Sequence, residues 1–231
     1  MLHILLLEDN LAKYKNLRCD SIDFLSDADD AEYSEGFSYI YEQVDEEIRT
    51  GVSKVVIIPH DSSYVLKIPY RGAREGEESW DFHYAGNKIR DWDYCETEAE
   101  IYDAFKAEGL ECFLAKTVRY GKDATGYPLY LQEKCITSYD YECTVPDYVY
   151  TYSYDKTERE VLRSMLACGL AVSNNTWNMK AIMYYGVEKY IRFMQLCMDR
   201  FPDVLGDLHS ENYGYRTDGS PVLIDFSSWN D

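Results

Sequence analysis

The chain has 231 residues, a length that suits one domain of two lobes, or two small domains, with a real core. Lys and Arg number 23 against 42 Asp and Glu, so the net charge is −19, which repels phosphate backbones and argues against nucleic-acid binding by bulk charge. Hydrophobic residues at 46% and aromatic residues at 15% argue against disorder of the whole chain. Near the start, the longest apolar run is Ile4 to Leu7. It is too short for a signal-peptide core or a membrane span, and no other stretch approaches about 20 apolar residues. Seven cysteines, an odd number with no CxxC spacing, read as reduced thiols of a cytoplasmic protein. Four scattered histidines give no zinc set.

Residues 1–45 read as an acidic N-terminal extension. From Asp20 to Thr50 the acids are dense and Arg49 is the one basic residue, while interleaved Phe24, Tyr33, Phe37 and Ile40 predict some helix. Lys54-Val-Val-Ile-Ile-Pro59, the turn His60-Asp-Ser-Ser63 and Tyr64-Val-Leu-Lys-Ile-Pro69 read as a hairpin. Arg71 to Trp92 carries Gly72, Gly76 and Gly86 and reads as a loop or insertion. Glu96 to Glu108 predicts a helix with Ile101, Tyr102 and Phe105 on one face. Tyr127 to Gln132 reads as a short strand. Tyr148, Tyr150, Tyr152 and Tyr154 alternate with smaller residues and predict an edge strand. Thr157 to Leu170 and Met179 to Phe201 read as long helices, the second apolar around most of its girth and so largely buried. Val222 to Phe226 reads as a buried strand ending in a carboxylate. Short strands first and long helices later predict a segregated α+β arrangement, with a β-rich lobe over 46–136 and a helical lobe over 137–231.

The chemistry-bearing segment is Gly206-Asp-Leu-His-Ser-Glu-Asn-Tyr-Gly214, followed by Val222-Leu-Ile-Asp-Phe-Ser227. Asp207 and Asn212 are five residues apart, and Asp225 stands 13 beyond Asn212. A hairpin through Thr217-Asp-Gly-Ser220 would carry all three to one side. Asn212 and Asp225 offer the hard oxygens that Mg²⁺ takes together with substrate phosphates. Asp207, displaced from that pair, suits a group that orients a nucleophile and accepts its proton. A Gly/Asp/Asn-rich turn is the plainer reading of any one of these residues; the three spacings together favour the site.

These residues resemble the protein kinase and aminoglycoside phosphotransferase superfamily, whose pattern is D-x-x-x-x-N in a catalytic loop and D-F-G after the next hairpin. Gly206-Asp-Leu-His209 is closer to the aminoglycoside and choline kinase type. Asn212-Tyr-Gly214 and Leu223-Ile-Asp225 resemble small kinase-like proteins of bacteriophages, which implies a host cytoplasm. The resemblance implies a bilobal fold that binds ATP and Mg²⁺. It assigns Asp207 as base, Asn212 and Asp225 as metal ligands, and Lys67, within Val65-Leu-Lys67, as the lysine on the α- and β-phosphates. Glu98, with Glu96 and Glu100 as competitors, is the helix glutamate that pairs with it. Gly51 to Val56 resembles the end of a glycine-rich loop, so Gly51 and Ser53 fall at the nucleotide. Tyr130 to Lys134, with Glu133, corresponds to the hinge that binds adenine.

The sequence departs from the family in four places. The loop keeps only Gly51, with Arg49 and Ser53 where glycines are expected. The interval from Lys67 to Glu98 is long. Ser227 stands at the DFG glycine. Six residues follow Asp225, so the family's activation segment and later helices are expected to be missing. Two functions follow: an ATP- and Mg²⁺-dependent phosphotransferase acting on a protein or small-molecule acceptor, or a weak or inactive pseudokinase that binds a basic host protein as an acidic inhibitor or decoy.

Overall fold

The computed structural model describes residues 11–17, 44–50, 54–69, 83–84, 87–88, 93–124, 126, 128–137, 175–202, 204 and 212–227. The protein is mixed α+β, built on an antiparallel sheet. It divides into two compact units, one holding residues 1–99 and 117–134, the other residues 100–116 and 135–230.

In the first unit, β1 (Glu47–Thr50), β2 (Lys54–Ile58) and β3 (Tyr64–Pro69) form a meander. Strands β6 (Thr117–Lys122) and β7 (Pro128–Glu133) complete a five-stranded sheet in the order β1-β2-β3-β7-β6. The β2–β3 register pairs Val56 with Lys67 and Lys54 with Pro69. Strand alternation then sorts the side chains onto two faces. On one face Val55, Ile57, Leu66, Ile68, Leu129 and Leu131 form an apolar core with Leu11, Tyr14 and Leu17. The last three flank or belong to a short 3-10 turn, Ala12–Asn16, so the segment expected as an acidic extension contributes core to this unit. On the other face lie Lys54, Lys67, Tyr130, Gln132, Thr117 and Arg119.

Helix α1 (Tyr94–Ala107) starts where the Asp93 carboxylate accepts a hydrogen bond from the Glu96 N–H at 2.9 Å, an N-cap. It ends at Gly109, whose φ of 69° lets the Leu110 N–H reach back to the Phe105 carbonyl at 2.9 Å. Within the expected insertion Arg71 to Trp92, two short strands pair antiparallel: β4 (His83–Tyr84) and β5 (Asn87–Lys88).

In the second unit, β8 (Ile136–Thr137), β9 (Tyr213–Tyr215) and β10 (Pro221–Leu223) form a three-stranded antiparallel sheet in the order β10-β9-β8. The single helix expected over Met179 to Phe201 is instead two, α2 (Asn175–Tyr185) and α3 (Val187–Arg200). They part at Gly186, which has φ 87° and ψ 153°, a conformation that a Cβ strains. Burial in α3 follows one stripe, Tyr190, Phe193, Met194 and Cys197, and Met198 is exposed, so the helix is amphipathic rather than buried all round. Phe113 anchors this core, with its ring centroid 4.5 Å from those of Phe193 and Tyr185. The Arg216 guanidinium donates to the carbonyls of Cys112 and Leu114, each at 3.0 Å, and so ties the turn Glu111–Phe113 to the hairpin. The expected tyrosine strand and the helix over Thr157 to Leu170 lie outside the described residues.

Candidate functional site

The first unit gathers a buried polar cluster on the α1 face of its sheet. Glu98 is fully buried, and the side chains of Lys54 and Lys67 are 5% and 4% exposed. Lys67 Nζ donates to both Glu98 oxygens, at 2.8 and 3.1 Å, and Lys54 Nζ donates to Oε1 at 2.6 Å. Gln132 Nε2 lies 3.4 Å from Glu98 Oε2 and donates to Thr117 Oγ1 at 2.9 Å. Burying three charges is tolerable only where geometry and hydrogen bonds compensate desolvation, and this network is of that kind. Cys95, fully buried beside it, has its thiol pushed well up, chiefly by burial.

The three candidate glutamates separate cleanly. Glu98 faces the lysines. Glu96 turns to Arg119 and to the Tyr130 hydroxyl, and the Arg119 hydrogen bond holds its carboxyl below the usual range. Glu100 is exposed. One turn earlier, the Tyr130 hydroxyl lies 2.5 Å from Asp93 Oδ2, and burial raises the Asp93 carboxyl above its ordinary value.

Lys54 is a site residue that the sequence reading passed over, although a signal for it was present. A turn at His60 to Ser63 fixes a register in which Val56 opposes Lys67, and alternation then puts Lys54 on the Lys67 face. Gln132 and Thr117 join for the same reason, through pairing with β3 and with each other.

The expected hinge falls partly within the sheet. Tyr130 and Gln132 sit in β7 with partners in β3 on one side and β6 on the other. Glu133 closes the strand half-buried, and the Lys134 N–H donates to the Ser63 carbonyl at 2.8 Å. Gly51 and Ser53, in the stretch joining β1 to β2, lie outside the described residues, as do Asp207 and His209.

In the second unit, the β9–β10 hairpin brings Asn212 and Asp225 together. Its turn is set by Gly219 at φ 83° and by the Asp218 carboxylate, which accepts from the Ser220 N–H at 2.9 Å. At the open end, the Asn212 carbonyl accepts from the N–H groups of Ile224 at 2.9 Å and Asp225 at 3.3 Å. The strand stops at Leu223, so Asp225 stands two residues beyond it rather than at its end. Asn212 is buried and Asp225 half-buried, with Phe226 locked in the core after it. Gly214 is required here: a Cβ on it would lie 2.4 Å from the Ile136 carbonyl oxygen of β8.

An amide oxygen and a carboxylate are hard donors. A pair of them fits Mg²⁺, which keeps waters and takes substrate phosphates for its remaining positions. Among the described residues no group of three or more His, Cys, Asp or Glu could hold a metal. No helix among them is long and apolar enough to cross a membrane. A scan against protein-family models finds no match, and searches of the curated proteins and of the solved structures find none either.

Proposed function

We propose that this chain is an ATP- and Mg²⁺-dependent phosphotransferase of kinase-like, bilobal architecture. The observation that carries the reading is the buried Lys67–Glu98 ion pair, formed between the third strand of the sheet and the helix that follows it. Further support comes from the order of parts along the chain. A three-strand meander precedes the helix, two more strands follow it with β7 inserted beside β3, and a late hairpin is bracketed by Asn212 and Asp225.

In the first unit Lys67 grips the phosphates and Glu98 orients it. In the second, Asn212 and Asp225 would hold Mg²⁺. The metal, when bound, neutralises charge that develops on the transferred group. Asp207 accepts the proton of the attacking hydroxyl as its oxygen bonds to the γ-phosphorus; the bond to the bridging oxygen breaks and ADP leaves.

The test is consumption of γ-labelled ATP with Mg²⁺ by wild type, Lys67→Met and Asp207→Ala. Wild type turns over, and loss of the base slows transfer by about 10²-fold or more. An Asp207→Ala protein that transfers phosphate at the wild-type rate removes Asp207 from the mechanism.

A further inference from the structure

Two lysines converge on one carboxylate in the first unit, and the ion pair needs only one of them. Lys67 by itself reaches both oxygens of Glu98, and Gln132 adds a longer contact to Oε2. Lys54 adds a second ammonium at 2.6 Å from the oxygen that Lys67 already touches at 3.1 Å. Burying that ammonium carries a desolvation cost that an apolar side chain of similar length would avoid. Its place in the chain is informative as well. Lys54 is the first residue of β2, and the register that sets Val56 opposite Lys67 puts the Lys54 side chain on the Lys67 face of the sheet.

A lone lysine in such a pair must serve the carboxylate and the phosphate with the same Nζ. With two, one ammonium can turn to phosphate while the other keeps Glu98 paired, so no step leaves a buried carboxylate without a cation. We propose that Lys54 is a second phosphate-binding lysine, sharing Glu98 with Lys67, and that it makes the site select ligands by the length of their polyphosphate. This rests on the phosphotransferase reading and deepens it: the ligand class is a nucleoside di- or triphosphate, with its phosphates on the two lysines.

The experiment measures the affinity of adenosine, AMP, ADP and ATP, with Mg²⁺, for full-length wild type, Lys54→Met, Lys54→Arg and Lys67→Met. Lys54→Met weakens ATP and ADP by about tenfold or more and changes adenosine by less than about twofold, because a charge-assisted contact to phosphate is lost. Lys54→Arg recovers most of the loss. If Lys54→Met binds ATP like wild type while Lys67→Met does not, Lys54 is only a structural partner of Glu98; the inference falls and the phosphotransferase reading stands. If wild type binds no nucleotide, both fall.

A second measurement needs no variant and covers the case in which Lys54→Met fails to fold. An acyl-phosphate derivative of ATP is incubated with the wild-type chain, and the acylated lysines are identified by peptide mass spectrometry. Labelling of both Lys54 and Lys67, suppressed by excess ATP, supports the proposal. Labelling of Lys67 without Lys54 overturns it.

Discussion

Lys54, Lys67 and Gln132 donate to Glu98, and its removal tests the cluster without reference to any ligand. Glu98→Gln leaves two buried ammonium groups facing a neutral amide. Breaking a buried pair in this way costs about 3–5 kcal/mol, read as a lower midpoint in urea unfolding. A loss below about 1 kcal/mol would mean that water or other groups already screen the lysines. Asp93 gives a prediction of opposite character. Burial raises its carboxyl above the ordinary 3.8, so the folded state holds the proton longer than the unfolded state does. Its contribution is complete below that ordinary value and is lost as pH rises through the raised one. Asp93→Asn keeps an N-cap oxygen and removes the titration. The variant therefore gains stability relative to wild type as pH rises from about 4 towards neutrality, measured by thermal melts in a pH series. Glu96 and Glu46 act with the other sign: held low chiefly by Arg119 and Lys13, they stabilise at neutral pH and cease to do so as pH falls.

At the scale of elements, two glycines carry constraints that a Cβ exposes. Gly214→Ala pushes a methyl into the Ile136 carbonyl and must part β8 from β9, at a cost of about 1–3 kcal/mol. Gly186→Ala forces an alanine to φ 87° between α2 and α3, at a cost of about 1–3 kcal/mol, although nothing lies within 4 Å of its Cβ. The contrast separates steric from backbone strain: a β-carbon is tolerated at Gly186 only if the two helices re-angle. These glycines also mark what the sequence could and could not disclose. The β2–β3 hairpin was legible because its β-branched runs flank a short polar turn, and α1 because Ile101, Tyr102 and Phe105 repeat at helical spacing. The break at Gly186 was not, since a lone glycine inside an apolar helical pattern is compatible with an unbroken helix. Strand β1 hid because Glu47-Ile-Arg-Thr50 ends an acid-dense run, and its alternation spans only four residues. Leu11, Tyr14 and Leu17 hid because a 3-10 turn of five residues leaves no periodicity to read.

For the whole molecule, a net charge of −19 opposes compaction through self-repulsion. Screening that repulsion with about 0.5 M NaCl should raise the melting temperature, whereas buried pairs such as Lys67–Glu98 are little affected by salt. A melting temperature that falls with salt would mean that exposed attractions such as Arg119–Glu96 outweigh the repulsion. The same charge bears on the proposed function, because an acidic protein would need local cations and a metal to offset its own field if it is to take a tetra-anionic nucleotide. Pairings within each unit supply the candidates: Lys54 and Lys67 on the sheet in one, Asn212 and Asp225 on the hairpin in the other. The lysine cluster followed from strand register, which a sequence yields only once a turn is placed. The Asn212–Asp225 pair followed from spacing alone, because a short hairpin returns its ends to each other whatever surrounds it.

The most direct measurement is calorimetric titration of ATP into wild type and Asp225→Ala, each with and without Mg²⁺. The phosphotransferase account predicts binding by wild type that depends on Mg²⁺ and is lost or weakened at least tenfold in Asp225→Ala, with both proteins folded. A folded wild type that takes up no ATP, or takes it up equally without the metal and without Asp225, would contradict it.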